Sequence, residues 1–256
     1  MPTPLPLTAR RIRHNSGTDL AMHTHAEGQL LLLEQGTLSI ACEQGWWLVP
    51  PGQAIWIPAG MPHKASYSEA SSLLRLMMRE GIYPGLPASC LVFSCSALLV
   101  VLVQEACRFG LAERTSGDEE LIAALIAHQL GLPVARPQYF LPGGHSRRLQ
   151  QVTDYLRHNP ASRETLEQLA LLAHCSSRTL ARLFENETGM CFSRWREQLH
   201  LNCAMDALAR GQSVTSTALK LGYLSPSSFS TMFTRACGMP PSHFVHSLDK
   251  NTASQI

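Results

Sequence analysis

Charged side chains are scarce in this chain. Asp, Glu, Lys and Arg make up 16% of its 256 residues, against about a quarter in an ordinary globular domain. That shortage, beside 45% hydrophobic residues, excludes a disordered or supercharged polypeptide. Long apolar runs are missing too. No uninterrupted one is longer than Ala97 to Val103, far short of the roughly 20 residues that cross a bilayer. The N-terminus, Met-Pro-Thr-Pro-Leu-Pro, has no apolar stretch followed by a cleavage site, so no secretion signal and no membrane partner are expected. No Cys-x-x-Cys occurs among the eight cysteines, and none has a histidine at zinc-finger spacing. Reduced, mostly buried thiols in a cytoplasmic protein are the expectation. Gly-x-Ser-x-Gly, a P-loop and Gly-x-Gly-x-x-Gly are also absent, which removes sequence support for those chemistries.

The length suggests two domains, at about 150 residues each. The formal charge of +2 is unevenly spread. Residues 1–144 hold nine Lys and Arg against eleven Asp and Glu, and residues 145–256 hold twelve against eight. A basic C-terminal part beside an acidic N-terminal part points to an anionic partner for the former.

The first twenty residues, Pro-rich and then basic through Arg10, Arg11 and Arg13, read as a mobile arm. From Gln29 to Met78, apolar runs of four to six residues are broken by Gly- and Pro-rich turns, a pattern of short antiparallel strands in a small barrel or sandwich. Residues 91–108 and 119–130 read as helical. Leu121, Ile122, Leu125, Ile126 and Gln129 form a stripe that suits a dimer contact or internal packing. Residues 133–144, with three prolines and two glycines, read as a linker. Everything after Gly144 has helical periodicity, opened by His145–His158 and by a capping-box pattern at Thr165–Gln168.

The helical part repeats itself at an offset of 49 residues. Ser176, Leu180, Leu183, Phe184, Gly189 and Met190 match Ser225, Phe229, Met232, Phe233, Gly238 and Met239. Serine caps the start of a helix, apolar residues at +4, +7 and +8 mark one buried face, and glycine ends it. Pro226 suits the first helical position. A shorter helix precedes each copy, over Leu166–Leu172 and Val214–Leu221. Short helix, tight turn and capped second helix form the helix-turn-helix arrangement. The outward faces carry small hydroxyls and arginine with almost no acid, which lets them approach phosphates and base edges.

The motifs Leu166-Glu-Gln-Leu-Ala170, Ser176-Ser-Arg-Thr-Leu-Ala-Arg-Leu-Phe184, Glu187-Thr-Gly-Met190, Ala218-Leu-Lys-Leu-Gly-Tyr223, Ser225-Pro-Ser-Ser-Phe229 and Gly238-Met-Pro-Pro241 resemble the AraC/XylS transcription regulators. The resemblance covers about residues 145–247. It implies two helix-turn-helix units joined by a long helix, about Ser193–Ala209, reading successive major-groove segments on one face of promoter or operator DNA. By position, the implied contacts are Ser177, Arg178, Ala181 and Arg182 from the first unit. Pro226, Ser227, Ser230, Thr231 and Thr234 come from the second. Arg147 and Arg148, at the start of the helical part, are candidates for phosphate contact. Ala181 offers no hydrogen bond, and His200 stands where the family often has arginine.

His23-Thr-His25, followed by Glu27 and Gln29 and later by Pro58-Ala-Gly-Met-Pro-His63, resembles the cupin barrel. Two histidines at i and i+2 on a strand share a face, and a third from a neighbouring strand completes a facial metal set. His23, His25, His63, Gln29 and Trp56 are therefore the candidate effector or metal residues, a divalent metal being the one cofactor considered. The expected fold is α+β, a cupin-like antiparallel β-barrel followed by an all-α domain. The expected domains are 1–132, a linker over 133–144, the double helix-turn-helix over 145–247, and a flexible tail over 248–256. The expected function is a non-enzymatic, one-component regulator that senses a small molecule and binds promoter DNA, as activator or repressor. A second copy of the chain and RNA polymerase are candidate partners. The alternative is a cupin-type metalloenzyme with a helical interaction domain.

Overall fold

A computed structural model describes residues 7–43, 45–67, 69–79, 81–109, 117–132 and 140–246. The expected tail, and residues 133–139 of the expected linker, lie outside the described residues. The chain divides into two compact units, residues 1–40 with 49–137 and residues 41–48 with 138–256.

In the first unit, β1 (Leu7–His14), β8 (Ser71–Met78), β3 (Gly28–Gln35), β6 (Gln53–Ile57) and β9 (Leu91–Ser94) form one antiparallel sheet in that order. The opposing layer contains β2 (Thr18–His23) paired with β7 (His63–Tyr67), and β4 (Leu38–Cys42) beside β7. Leu30 to Leu33 are all buried because the central strand β3 has a packed face on both sides. One face, with Ala9, Leu30, Leu32, Trp56, Leu74 and Leu76, packs on α1 (Ala97–Phe109) and α2 (Gly117–Gly131). The other carries Gln29, Leu31, Leu73 and Arg75, and encloses a cavity.

Two expectations are corrected here. The basic N-terminal segment is an ordered edge strand, with eight residues of β1 in register with β8 from Leu7↔Met78 to His14↔Ser71. Arg10 shares a face with Ile12 and Arg11 shares the other with Ala9, so each face of the strand carries an apolar residue beside its charge. Residues 91–94 form β9 instead of the start of a helix. The helix begins after Ser96, whose hydroxyl accepts from the Leu99 amide. The stripe on α2 is divided, with Ile126 in the core and Leu121 and Leu125 exposed.

In the second unit, β5 (Gly45–Val49) pairs with β10 (Phe140–Pro142), and Trp47 stacks on Phe140 at 4.1 Å. Thus residues 140–142, expected within the linker, are a strand. The helices are α3 (Arg147–His158), α4 (Leu166–Leu172), α5 (Ser177–Leu183, prolonged by a π turn over Phe184–Thr188), α6 (Phe192–Ala209), α7 (Val214–Lys220) and α8 (Pro226–Cys237). The long α6 serves two cores. Trp195 and Leu199 pack with Leu149, Val152, Leu169, Leu180 and Phe184. Met205 and Leu208, a few turns on, pack with Ala218, Phe229, Phe233 and Phe244. The indole N–H of Trp195, wholly buried, donates to the Pro142 carbonyl at 2.8 Å.

The duplication is visible in the backbone. Ser176 and Ser225 cap α5 and α8 through the amides of Thr179 and Ser228, and Gly189 and Gly238 end both helices at φ 68° and 78°. In the turn before α8, Gly222 takes φ 79°, and its counterpart before α5 is His174 at φ 49°. The amides of Cys175 and Tyr223 close the two turns identically, on the carbonyls of Ala170 and Ala218.

Candidate functional site

The histidine cluster sits on the layer formed by β2 and β7. His23, the last residue of β2, lies directly opposite His63, the first of β7. His25, expected on the strand from sequence, is in the turn leading to β3, yet it still reaches the other two. Ring centroids are 4.4 Å apart for His23 and His63, 4.9 Å for His23 and His25, and 5.5 Å for His25 and His63. One ring nitrogen from each lies within 4.8 Å of the others.

Backbone carbonyls orient two of these rings. Nδ1 of His23 is 2.7 Å from the Ala21 carbonyl and Nδ1 of His63 is 2.9 Å from that of Met61. A carbonyl can only accept, so Nδ1 carries a proton in each, and in the neutral form of the ring Nε2 keeps its lone pair. Nε2 of His25 is buried without a hydrogen-bond partner. Burial holds the pKa of His25 and His63 below the ordinary histidine value, and proximity to His23 lowers both further. Neutral imidazoles with oriented lone pairs suit zinc or iron. Bonds of about 2.1 Å bring ligating nitrogens roughly 3 to 3.5 Å apart, so small side-chain rotations would close the set.

His23, His25 and Gln29 line a cavity of about 570 Å³; His63, buried against His23, is not part of its lining. The volume is within the range of small-molecule sites, about 300 to 1,000 Å³. Leu20, Leu31, Tyr67 and Leu73 provide apolar wall, and Asp19 and Arg75 provide charge. Oε1 of Gln29, like His25 Nε2, is buried and unpartnered. Trp56, expected in this cavity, is on the opposite face of the sheet. Its register partner is Leu30, one residue from Gln29, so the pleat turns it toward α1 and α2. There the indole N–H donates to the Pro87 carbonyl at 2.8 Å, and the ring covers Gly28 so closely that a Cβ would lie 2.3 Å from it. Sequence reasoning did not single out Arg75 or Tyr67. The signal available was one arginine inside Leu73-Leu-Arg-Leu-Met-Met78, an unusual position for a charge.

The two capped helices of the second unit present opposite characters on their two faces. Leu180, Phe184, Phe229 and Phe233 are wholly buried. On the other side Arg178 and Arg182 are exposed, and Ser177 and Ala181 are half-buried. On α8, Pro226, Ser227, Thr231 and Thr234 are exposed and Ser230 is half-buried. Among the described residues, Arg178 and Arg182 have no ion-pair partner, whereas Arg235 is paired with Glu197. Arg147 and Arg148 are exposed in the first turn of α3. His200 is half-buried, with Nδ1 3.0 Å from the Tyr223 hydroxyl and Nε2 2.9 Å from the Pro160 carbonyl. Its place is structural, binding α6 to the loop before α4 and to the turn before α8.

Comparison with known proteins agrees with this division. Residues 6–99 match the AraC-like ligand binding domain, and residues 169–247 match a helix-turn-helix domain. The chain is 31% identical over 238 residues to the HTH-type transcriptional regulator NimR of Escherichia coli K12, covering 90% of this chain and 85% of that protein. It is 30% identical over 137 residues to the XylDLEGF operon transcriptional activator of Pseudomonas putida, covering 52% of this chain and 42% of that protein. Among solved structures, ToxT from Vibrio cholerae aligns at 10% identity and a TM-score of 0.40, covering 94% of this chain and 98% of that one. A ligand-binding β domain followed by paired, capped helix-turn-helix units, with this similarity along nearly the whole length, places the chain in the AraC family of transcriptional regulators.

Proposed function

We propose that the second unit reads promoter DNA through Ser177, Arg178, Ala181 and Arg182 of α5 and through Pro226, Ser227, Ser230, Thr231 and Thr234 of α8, with Arg147 and Arg148 on phosphates. The observation that carries this reading is the contrast of faces on α5. Leu180 and, in the turn that follows, Phe184 are wholly buried and fix the helix, and two unpaired arginines stand on its free side. Arginine in the major groove recognises guanine, while small hydroxyls allow close approach to either base or phosphate. Promoter binding brings the protein beside RNA polymerase, the proposed macromolecular partner. Exposed Leu121 and Leu125 offer an apolar face for a second copy. The protein acts in the cytoplasm as a regulator and not as an enzyme.

The small-molecule effector occupies the cavity lined by His23, His25 and Gln29. A second reading, favoured by the unpartnered His25 Nε2, is that His23, His25 and His63 hold a divalent metal there. Such an ion would supply a Lewis-acidic contact for the effector. The chain's own part is to bring three imidazoles together. A gel shift of the full chain on its promoter fragment across a salt series tests the regulatory reading. Specific retention that weakens steeply with salt supports it. Stoichiometric metal together with substrate turnover, and no retention, supports the metalloenzyme instead.

A further inference from the structure

We infer that the effector is an anion, a small molecule with an apolar body and a carboxylate-like group, and that Arg75 is the residue that binds its charge. The inference rests on the cavity being the effector site and goes on to name the ligand's chemistry.

Arg75 is half-buried in the middle of β8, an otherwise apolar strand, and lines the cavity wall with Leu73. Its position in the register puts it beside Leu31 on one side and opposite Arg10 of β1 on the other. Residues directly opposite in an antiparallel pair project from the same face. Ile12 and His14, on the same parity of β1 as Arg10, also line the cavity. Two cations therefore stand side by side on the cavity face of the sheet. Like charges in that arrangement are mutually destabilising.

The other face of the same strand pair shows how this sheet treats an arginine that needs no ligand. Arg11, next to Arg10 in sequence, points the other way and is held by Glu34 at 2.8 Å. Glu34 also accepts from Ser72. Among the described residues, Arg10 and Arg75 have no such carboxylate. Asp19, exposed on β2, lines the same cavity without forming an ion pair with Arg75. Burial and then the charge of Arg75 hold the pKa of His14, on the same sheet, below the ordinary histidine value. An unpaired guanidinium at the wall of an apolar cavity is the arrangement that selects a planar anion by paired hydrogen bonds. Leu20, Leu31, Leu73 and Tyr67 supply the surface for the rest of the molecule.

The test uses the full chain and three acid–amide pairs of increasing size as probes: benzoate and benzamide, 2-naphthoate and 2-naphthamide, decanoate and decanamide. Dissociation constants are measured calorimetrically for wild type, Arg75→Gln and Arg75→Lys. At least one acid is expected to bind wild type about tenfold or more tightly than its amide, the effect of one charge-assisted contact. Arg75→Gln abolishes that preference by weakening the acid far more than the amide, and Arg75→Lys restores part of it. Equal affinity for acid and amide, or a preference that persists in Arg75→Gln, overturns the assignment of Arg75 while leaving the cavity as a binding site. If no probe binds wild type, the cavity reading and the inference fall together. Should Arg75→Gln fold poorly, the wild-type acid–amide ratio and the Arg75→Lys variant decide alone.

Discussion

Two residues on α5, two positions apart, should respond to truncation in opposite ways. Leu180 is wholly buried and packs in one cluster with Leu149, Val152, Leu169, Phe184, Trp195 and Leu199. Leu180→Ala removes three carbons from that cluster and leaves a void, at a cost of about 2–5 kcal/mol. For a unit of this size that lowers the melting temperature by on the order of 10 °C. Arg182 is exposed and touches no acid, so Arg182→Ala should change stability by less than about 0.5 kcal/mol. Its effect belongs to DNA. Loss of a good side-chain contact to a base is worth about 1–3 kcal/mol, or roughly 5- to 150-fold in affinity. Thermal unfolding and fluorescence anisotropy on promoter and scrambled duplexes separate the two. The expected result is a large melting shift for Leu180→Ala alone, and an unshifted Arg182→Ala that loses its preference for the promoter sequence. If Arg182→Ala keeps both affinity and preference, the face assigned to DNA is wrong. If Leu180→Ala keeps its melting temperature, the packing argument fails.

Three further outcomes follow from particular residues. His174→Gly should leave stability unchanged or raise it by about 0.5–1 kcal/mol, since a non-glycine residue at φ 49° is strained and Gly222 already fills the matching turn; a loss above 1 kcal/mol in denaturant titrations would refute this. His200 is held below the ordinary histidine pKa by burial, so the unfolded chain binds its proton more readily, and the stability it contributes is present above about pH 6.5 and lost as pH falls below that. His200→Gln should flatten the dependence of melting temperature on pH between 7 and 5, and an unchanged slope would exclude this origin. Neutralising Arg147 or Arg148 should weaken binding to all duplexes alike and lower the salt slope by about one, whereas an unchanged slope would leave these as ordinary surface residues.

The helical unit was legible because its signals are local. Serine caps, a buried stripe and a terminal glycine each act within a dozen residues, and duplication displayed them twice. The capping box at Thr165 and Gln168 formed as spaced. The β unit was legible in class but less so in detail, because a strand's value depends on its neighbours. Arg10, Arg11 and Arg13 gave β1 the look of a basic arm, and only pairing with β8 makes a strand of it. Trp56 lies on the face opposite to the one expected, because pleat parity follows from the register with Leu30, which no local pattern carries. The histidines came together as expected although His25 is not on the strand, since the turn from β2 to β3 is short enough to keep it near His23. Arg75 escaped notice because its meaning lies in what it lacks, an acid across the sheet, and that is invisible in sequence. The first strand of the second unit, Gly45–Val49, lies far in sequence from β10, and no local pattern announces that pairing.

The central claim is that this chain reads DNA with two recognition helices on one face of the duplex. Genome-wide footprinting of the full chain tests it most directly. Protected sites are expected to carry two short motifs centred about one helical turn, 10–10.5 base pairs, apart. Arg182→Ala is expected to relax the sequence of one motif and Thr231→Ala to weaken the other. Protection with no sequence in common, or a single motif that both variants alter alike, would contradict it.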